Sequence, residues 1–444
     1  MLPEIHLFSV GPFSFLLEVE TGSLHLLDQV AYAVARGLAN GKTRPDVVTE
    51  LSPLFGRRAV EEALEELEEL FATAPGGSWP EIEIKERRPP KALCLLVSHD
   101  CNLRCRYCFT RCGTFGGEER GLMSWAVAKR AVDFLASSTR SRTVEIDFFG
   151  GEPLLNFEVV GKTVAYAREK FSDLGREVRF TLTTNGVLLN SKVIEFLNRE
   201  NIQVILSLDG RPEVNDGVRR FPSGRGTYHY VLPRFQELAA TRSGNYYLRG
   251  TFTARNTDFA EDALHLYRLG FSFVSLEPVV PPVDTDLELK EEHLPELRAE
   301  YERLALAILK EEKEKGRQLE FFHFRVGLEP RICLPRLISG CGAGNEYLAV
   351  TWKGEIYPCH QLVGYREFLM GDVFQGMNGA LVGEEFARAN ILTKKVCRRC
   401  WARYFCGGGC LATSVIVNGS LYEPYRLACE LQKLRLEVAL FLEA

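Results

Sequence analysis

Ser98-His-Asp-Cys-Asn-Leu-Arg-Cys-Arg-Tyr-Cys-Phe109 decides how the rest of this 444-residue chain is read. It places Cys101, Cys105 and Cys108 at Cys-x3-Cys-x2-Cys spacing, directly after the apolar run 92–97. Three thiolates can hold three irons of a four-iron, four-sulfur (4Fe-4S) cluster and leave the fourth iron open to a ligand that is not protein. Downstream the chain alternates. Candidate strands are 92–97, 144–149, 178–183, 202–208, 246–252 and 271–276, with helical stretches such as 125–136, 157–171 and 191–200 between them. Six strand-helix units with short connections imply an α/β protein with a parallel sheet, here a six-stranded partial barrel. In such sheets chemistry gathers at the carboxyl ends of the strands, and the triplet sits just past the first.

Other strand ends carry residues suited to a polar ligand. Gly150, Gly151, Glu152 and Pro153 follow the second strand; the glycines let backbone approach a ligand, and Glu152 could accept from an ammonium group, although the same four residues also make a plain turn. Thr183-Thr-Asn-Gly186 ends the third strand. Ser207 and Asp209 close the fourth as acceptors for hydroxyl groups, and Arg219 offers a guanidinium fork for a carboxylate. Strand capping explains each singly. Their order along the chain is harder to explain that way.

Thirteen cysteines in a chain read as cytoplasmic argue for metals rather than disulfides. Besides Cys333, seven fall in the C-terminal third: Cys341, Cys359, then Cys397-x2-Cys400-x5-Cys406-x3-Cys410, and Cys429. They suffice for nearly two further clusters, whereas a zinc ribbon, the alternative, needs four. Cys94 reads as a small buried hydrophobe, and Cys112 has no partner at metal spacing; neither is assigned a role. Cys333 stays undecided between ligand and bystander. A net charge of −5 argues against nucleic acid as the main partner. No apolar run approaches the ~20 residues of a membrane helix, and the first residues lack the basic start of a signal peptide, so no membrane association is expected.

Residues 1–78 read as a separate module of three short strands and three helices, a winged-helix outline. Thr43-x-x-Asp46 looks like a capping box with Pro45 in the first turn. Twelve acidic and five basic residues make the module a poor DNA reader. It is either a packing extension or a peptide-capture element, whose exposed third strand would accept an extended segment. Residues 79–90, with Trp79-Pro80 and Pro89-Pro90, read as a linker.

The triplet, with Tyr107 before its third cysteine, resembles the radical S-adenosylmethionine (SAM) superfamily, and the C-terminal cysteines resemble its SPASM auxiliary-cluster domain. On that resemblance residues 91–300 form the radical SAM partial barrel and 301–444 a bridging region with the SPASM domain. Gly150 to Pro153 would bind the SAM amino group, and Tyr107 would lie against the adenine. Cys397, Cys400, Cys406 and Cys429 would hold an outer cluster, and Cys341, Cys359 and Cys410 an inner one, completed by Cys333 or by a substrate thiol. The implied cofactors are SAM and three 4Fe-4S clusters. Several stretches, among them Val144-Glu-Ile-Asp-Phe-Phe-Gly-Gly-Glu-Pro153 and Tyr357-Pro-Cys-His-Gln361, look like the maturases of six-cysteine (SCIFF) peptides, which join a cysteine sulfur to a carbon of another residue. The implied partners are a Cys-rich precursor peptide, its leader docked on residues 1–78, and an electron donor such as flavodoxin or ferredoxin. Where sulfatase-maturing enzymes carry an acid after the cysteine matching Cys359, this chain has His360, which disfavours their reaction. Another crosslinking or epimerising radical SAM enzyme is the sister alternative. An iron-sulfur electron-transfer protein is the non-enzyme one.

Overall fold

The computed structural model describes residues 4–73, 88–117, 119–284, 286–326 and 334–444. Cys333 and most of the expected linker lie outside them.

Strands β1 (Ile5–Val10), β2 (Phe13–Glu18) and β3 (Leu24–Leu27) form an antiparallel sheet in that order. Helices α1 (Gln29–Ala39), α2 (Arg44–Phe55) and α3 (Arg57–Thr73) follow. The expected capping box opens α2, Thr43 and Asp46 each accepting from the other's backbone N–H. Alternation along β2 divides its side chains between two cores. Leu16 packs on Val34, Val60 and Leu64 of the module's own helices, while Phe15 and Leu17 join the main core. The module is therefore built into the body rather than tethered to it. Its outer strand, β3, is a sheet edge that leaves Leu26 63% exposed.

Among the described residues the main sheet has eleven strands. Six of its parallel strands lie in chain order: β4 (Ala92–Ser98), β5 (Thr143–Gly150), β6 (Glu177–Thr184), β7 (Gln203–Ser207), β8 (Tyr246–Phe252) and β9 (Phe273–Pro278). Between them run α4 (Trp125–Ser138), α5 (Phe157–Asp173), α6 (Ser191–Arg199), α7 (Pro212–Val218), α8 (Tyr228–Ala240) and α9 (Phe259–Arg268), and α10 (Leu294–Lys315) follows β9. This is the expected α/β partial barrel, with strand ends within two residues of the expected ones. Val144, Ile146 and Phe148 on β5 point outward and are fully buried in the main core with residues of the covering helices; Glu145, Asp147 and Phe149 alternate to the inner side.

The C-terminal third closes one flank. Strand β10 (Glu320–Phe321) extends the sheet beyond β9, and β11 (Tyr347–Val350) pairs parallel to β4, followed by β12 (Glu355–Tyr357). Cys94 and Leu96 on the inner face of β4 pack against Phe115, Tyr357 and Val363. The C-terminal helix, Arg426–Glu443, lies against α10 and β1. Among the described residues no helix is long and apolar enough to cross a membrane.

Candidate iron-sulfur and ligand site

The loop after β4 folds its three cysteines into one another's electrostatic field, mostly buried beneath the strand ends. Burial pushes Cys101 up to about 12 and Cys105 up to about 11, so as free thiols they hold their protons and a metal must displace them. Backbone N–H groups already point at sulfur: Leu103 N lies 3.4 Å from Cys101 Sγ, and Cys112 N 3.3 Å from Cys108 Sγ.

Cys112 is a correction to the sequence reading. Its thiol hydrogen-bonds Cys108 and senses Cys101 and Cys105. Spacing could not show this, because the chain doubles back through positive φ at two non-glycine residues, Arg111 (49°) and Cys112 (56°). Such backbone costs about 1–3 kcal/mol per residue and gathers at functional loops.

Gly150 and Gly151 pass directly beneath this loop. Gly151 N donates to Ser98 O at 2.8 Å, and Glu152 N to Asp100 O at 2.9 Å. The Glu152 side chain has no exposed surface and accepts from Leu154 N (3.0 Å), Thr184 Oγ1 (2.8 Å) and Asn185 N (2.8 Å). Those three donors leave one lone-pair site on the carboxylate for a ligand ammonium. Burial raises this acid to about 7 against the pull of those same bonds. Pro153 starts the short 3-10 turn that follows.

Tyr107, Asp209 and Arg219 meet as one buried cluster. The Tyr107 hydroxyl donates to Asp209 at 2.7 Å and accepts from Arg219 at 2.6 Å, while Thr251 N donates to Asp209 at 3.0 Å. Ser207 is half-buried at the end of β7, in register with Arg249 of β8.

The seven C-terminal cysteines sort into two sets. Cys397, Cys400, Cys406 and Cys429 line one cavity of 410 Å³. Cys341, Cys359 and Cys410 share a second field. The divider is Gly407-Gly408-Gly409, whose φ values of 68°, 94° and 74° turn the chain so that Cys406 and Cys410 face different sets. Glycine adopts such angles without the steric penalty that a Cβ brings. Cys359 and Cys410 each cap a helix start, accepting from Gln361 N and Thr413 N at 3.5 Å. Among the described residues no three Cys, His, Asp or Glu stand close enough for a single ion. The four thiols surround a cavity instead of a point, which suits a polynuclear cluster better than a zinc ion at ~2.3 Å from each sulfur.

Among the described residues seven buried polar atoms lack a hydrogen-bond partner, and four of them belong to residues within four positions of a cysteine in these sets: His99 Nε2 and Asn102 Nδ2 near Cys101, Asn345 Oδ1 near Cys341 and Gln361 Oε1 near Cys359. Buried polar atoms are rarely left without partners, so these residues fit sites that receive further groups.

The barrel interior carries ionisable residues that the sequence reading missed. Glu277 Oε1 lies 2.9 Å from His323 Nε2 and 3.7 Å from Arg249, and Arg435 donates to His323 Nδ1 at 2.8 Å. Burial opposes ionisation of Glu277, but His323, Arg249 and Arg435 outweigh it and hold the carboxyl well below the usual range. His360 accepts from or donates to the Tyr347 hydroxyl at 3.0 Å, with its ring against Phe109 and Phe149. Burial, then Arg249, pushes it down to about 4, so it is neutral. Cys94 is buried as expected, yet bonds the Tyr347 hydroxyl and stands opposite Asp147.

Asp147 is raised from 3.8 to about 7 by burial and then by Glu145. An acid that holds its proton more tightly when folded stabilises the fold fully below about pH 4 and loses that contribution as pH rises through about 7. Anaerobic urea titrations between pH 5 and 8 should therefore show a falling midpoint. Asp147→Asn should flatten that part of the profile.

Residues 95–247 match the Radical SAM superfamily, and residues 341–401 match SPASM, an iron-sulfur cluster-binding domain. The chain carries a radical SAM domain followed by a SPASM domain. The SPASM match contains Cys341, Cys359, Cys397 and Cys400, and the cavity above extends its cysteine set to Cys406 and Cys429. An uncharacterised protein of Methanocaldococcus jannaschii is 29% identical over 207 residues, 46% of this chain and 65% of that protein, so the chain spans just under two thirds of that relative. A cysteine-type anaerobic sulfatase-maturating enzyme of Clostridium novyi is 23% identical over 72% of this chain and 88% of its own length. Native anSMEcpe with bound AdoMet superposes with a TM-score of 0.65 at 20% identity, covering 79% of this chain and 97% of that one. Streptococcus suis SuiB bound to precursor peptide SuiA gives 0.54 at 15% identity, covering 96% and 100%. At these identities the two structures speak for the fold: a radical SAM barrel with SPASM behind it.

Proposed function

We propose that the protein is a radical SAM peptide maturase that joins a cysteine sulfur to a carbon of another residue in a ribosomally made, Cys-rich precursor peptide. One observation carries this reading. His360, next to the inner-set Cys359, packs against Phe109, which follows Cys108, and against Phe149, which precedes Gly150. The inner thiols and the ligand site of the barrel thus face each other across one neutral imidazole, where a peptide carbon and a peptide sulfur could be held together. The relation to a sulfatase-maturating enzyme and the SuiB complex with its precursor peptide support a peptide substrate.

Cys101, Cys105 and Cys108 would hold the first cluster, and Gly150 to Pro153, Ser207 and the Tyr107–Asp209–Arg219 cluster would place SAM beside it; there SAM would supply one-electron abstraction of a hydrogen atom from the peptide carbon. The chain's own residues do the rest. Glu277 and Arg249, of opposite charge on neighbouring strands, offer an acceptor and a donor for peptide backbone. Aromatic packing around His360 keeps water from the reacting atoms. Cys341, Cys359 and Cys410 would hold the inner auxiliary cluster, and Cys397, Cys400, Cys406 and Cys429 the outer one, giving three clusters in all. The free edge of β3, with Leu26 exposed beside it, takes the leader as a fourth strand.

The test is anaerobic incubation of reconstituted protein with a candidate Cys-rich peptide, SAM and reductant. Each crosslink should remove two hydrogens from the peptide mass and render one cysteine resistant to alkylation. Deoxyadenosine release with the peptide mass unchanged, or mass loss with every cysteine still alkylated, would overturn the thioether assignment.

A further inference from the structure

Lys394-Lys-Val-Cys-Arg-Arg-Cys-Trp-Ala-Arg403 holds five basic residues and no acid, in a chain of net charge −5. The structure divides those five cations into two groups. Two serve the interior. Lys394, 1% exposed, donates to Gly408 O at 2.7 Å in the field of Cys397, Cys406, Cys429 and Cys410. Arg403, 5% exposed, bonds Glu4 at 2.8 Å, Glu20 and the Cys400 carbonyl. The other three, Lys395, Arg398 and Arg399, are exposed, and among the described residues none has a carboxylate at ion-pair distance.

Those three surround Val396, an apolar side chain 66% exposed, and Val396 and Arg399 line the same 410 Å³ cavity as the four outer cysteines. Arg426 and Lys433 add to the rim. They are paired with Glu291 at 3.2 Å and Glu430 at 2.9 Å, and Glu430 is the one acid lining the cavity. The mouth of the outer cysteine site is therefore an apolar spot inside a ring of unspent positive charge. Three exposed cations gathered around one apolar side chain, with no carboxylate at ion-pair distance among the described residues, match the charge of an acidic partner.

We propose that this face docks an acidic one-electron carrier protein, which exchanges electrons with the outer auxiliary cluster. The inference rests on the assignment of Cys397, Cys400, Cys406 and Cys429 to that cluster. Forming one thioether from a thiol and a C–H bond releases two hydrogens: one leaves as an atom in deoxyadenosine, the other as a proton and an electron. The oxidised carrier takes up that electron, the electron that cleaves SAM being supplied separately by a reductant. In the exchange one electron leaves the reduced cluster and enters the oxidised carrier, and no bond is made or broken. Small, wet, charge-steered interfaces suit such transient partners. An acidic peptide or a nucleic acid would match the charge but not the location over four cluster cysteines.

The test uses reconstituted holoenzyme and oxidised flavodoxin, a carrier of net negative charge. Re-oxidation of the reduced enzyme, followed by stopped flow, should slow by about tenfold or more between low and high salt, as steering is screened. Lys395→Glu/Arg398→Glu/Arg399→Glu should lower the low-salt rate by about 10- to 100-fold and weaken flavodoxin binding measured by calorimetry. Iron content, dithionite-driven deoxyadenosine release and the peptide mass change should match wild type in that variant, so failure here is separable from failure of the peptide chemistry. If the reversed variant loads iron poorly, Lys395→Gln/Arg398→Gln/Arg399→Gln and the wild-type salt series carry the same test. A salt-independent rate, an unaffected variant, or preferential binding of a DNA duplex to this face would overturn the proposal.

Discussion

Cys105→Ala should abolish 5′-deoxyadenosine release, a loss of at least about a thousandfold, the scale on which removing a unit of catalytic machinery acts. The iron content should fall by about four atoms per chain, the complement of one 4Fe-4S cluster. Binding of a leader peptide to residues 1–78 should stay within about twofold, because stability effects of distant, unconnected sites are independent. The module's helices have their own core around Val34, Val60 and Leu64, and its sheet is held to the body by His6 stacked on Trp401 at 3.8 Å and by the Arg403 fork to Glu4, none of which touches the triplet. Cys105 is the right cysteine for the experiment. Cys112 hydrogen-bonds Cys108, so a Cys108→Ala protein retains a thiol at nearly the same place and should keep part of its first-cluster iron. Iron analysis, low-temperature EPR and product chromatography on both variants check the contrast. Undiminished deoxyadenosine release by Cys105→Ala would remove the basis for placing SAM on this triplet.

The contrast also shows which parts of the site could be read from the chain. The parallel strands were legible because each is a short apolar or alternating run ending in a glycine or polar turn, and the triplet because ligand spacing is local. The lumen was not. On β5, Glu145 and Asp147 alternate with buried apolar residues just as solvent-facing residues of an exposed strand would, and only closure of the barrel turns that face inward. Glu277, His323 and Arg435 come from three separate elements, and no periodicity relates them. Cys112 escaped notice for a conformational reason, since positive φ at Arg111 and Cys112 is not what those residue types announce. Docking of the N-terminal module was equally hidden. His6 and Arg403 meet partners 431 and 399 positions away, and each alone looks like a surface residue.

Gly151→Ala should be nearly as damaging as loss of a cysteine, although it removes no ligand and changes a single methyl group. The added Cβ would land against the Asp100 carbonyl, 2.6 Å from its carbon, and 2.9 Å from Gly113 Cα, both backbone. Flexible side chains can swing aside from such a contact; here the obstruction is the first residue of the cysteine loop on one side and its return segment on the other. Relief requires moving Asp100, hence Cys101, or opening the Gly151 N to Ser98 O and Glu152 N to Asp100 O bonds that fix the end of β5 under the loop. Overpacking of this kind costs about 1–3 kcal/mol, a fraction of total stability that leaves the fold intact. The first cluster is less tolerant, because its three sulfurs must keep their mutual geometry. We therefore expect SPASM iron to be retained, first-cluster iron to fall, and deoxyadenosine release to drop about a hundredfold or more, a 1 Å displacement being worth about that much. Gly175→Ala, at a loop glycine whose added Cβ meets nothing, is the control: its φ of +65° costs some stability but disturbs no cluster. Equal iron content and activity in the Gly151 and Gly175 variants would mean that close backbone approach at the β5 end does not position the cysteine loop.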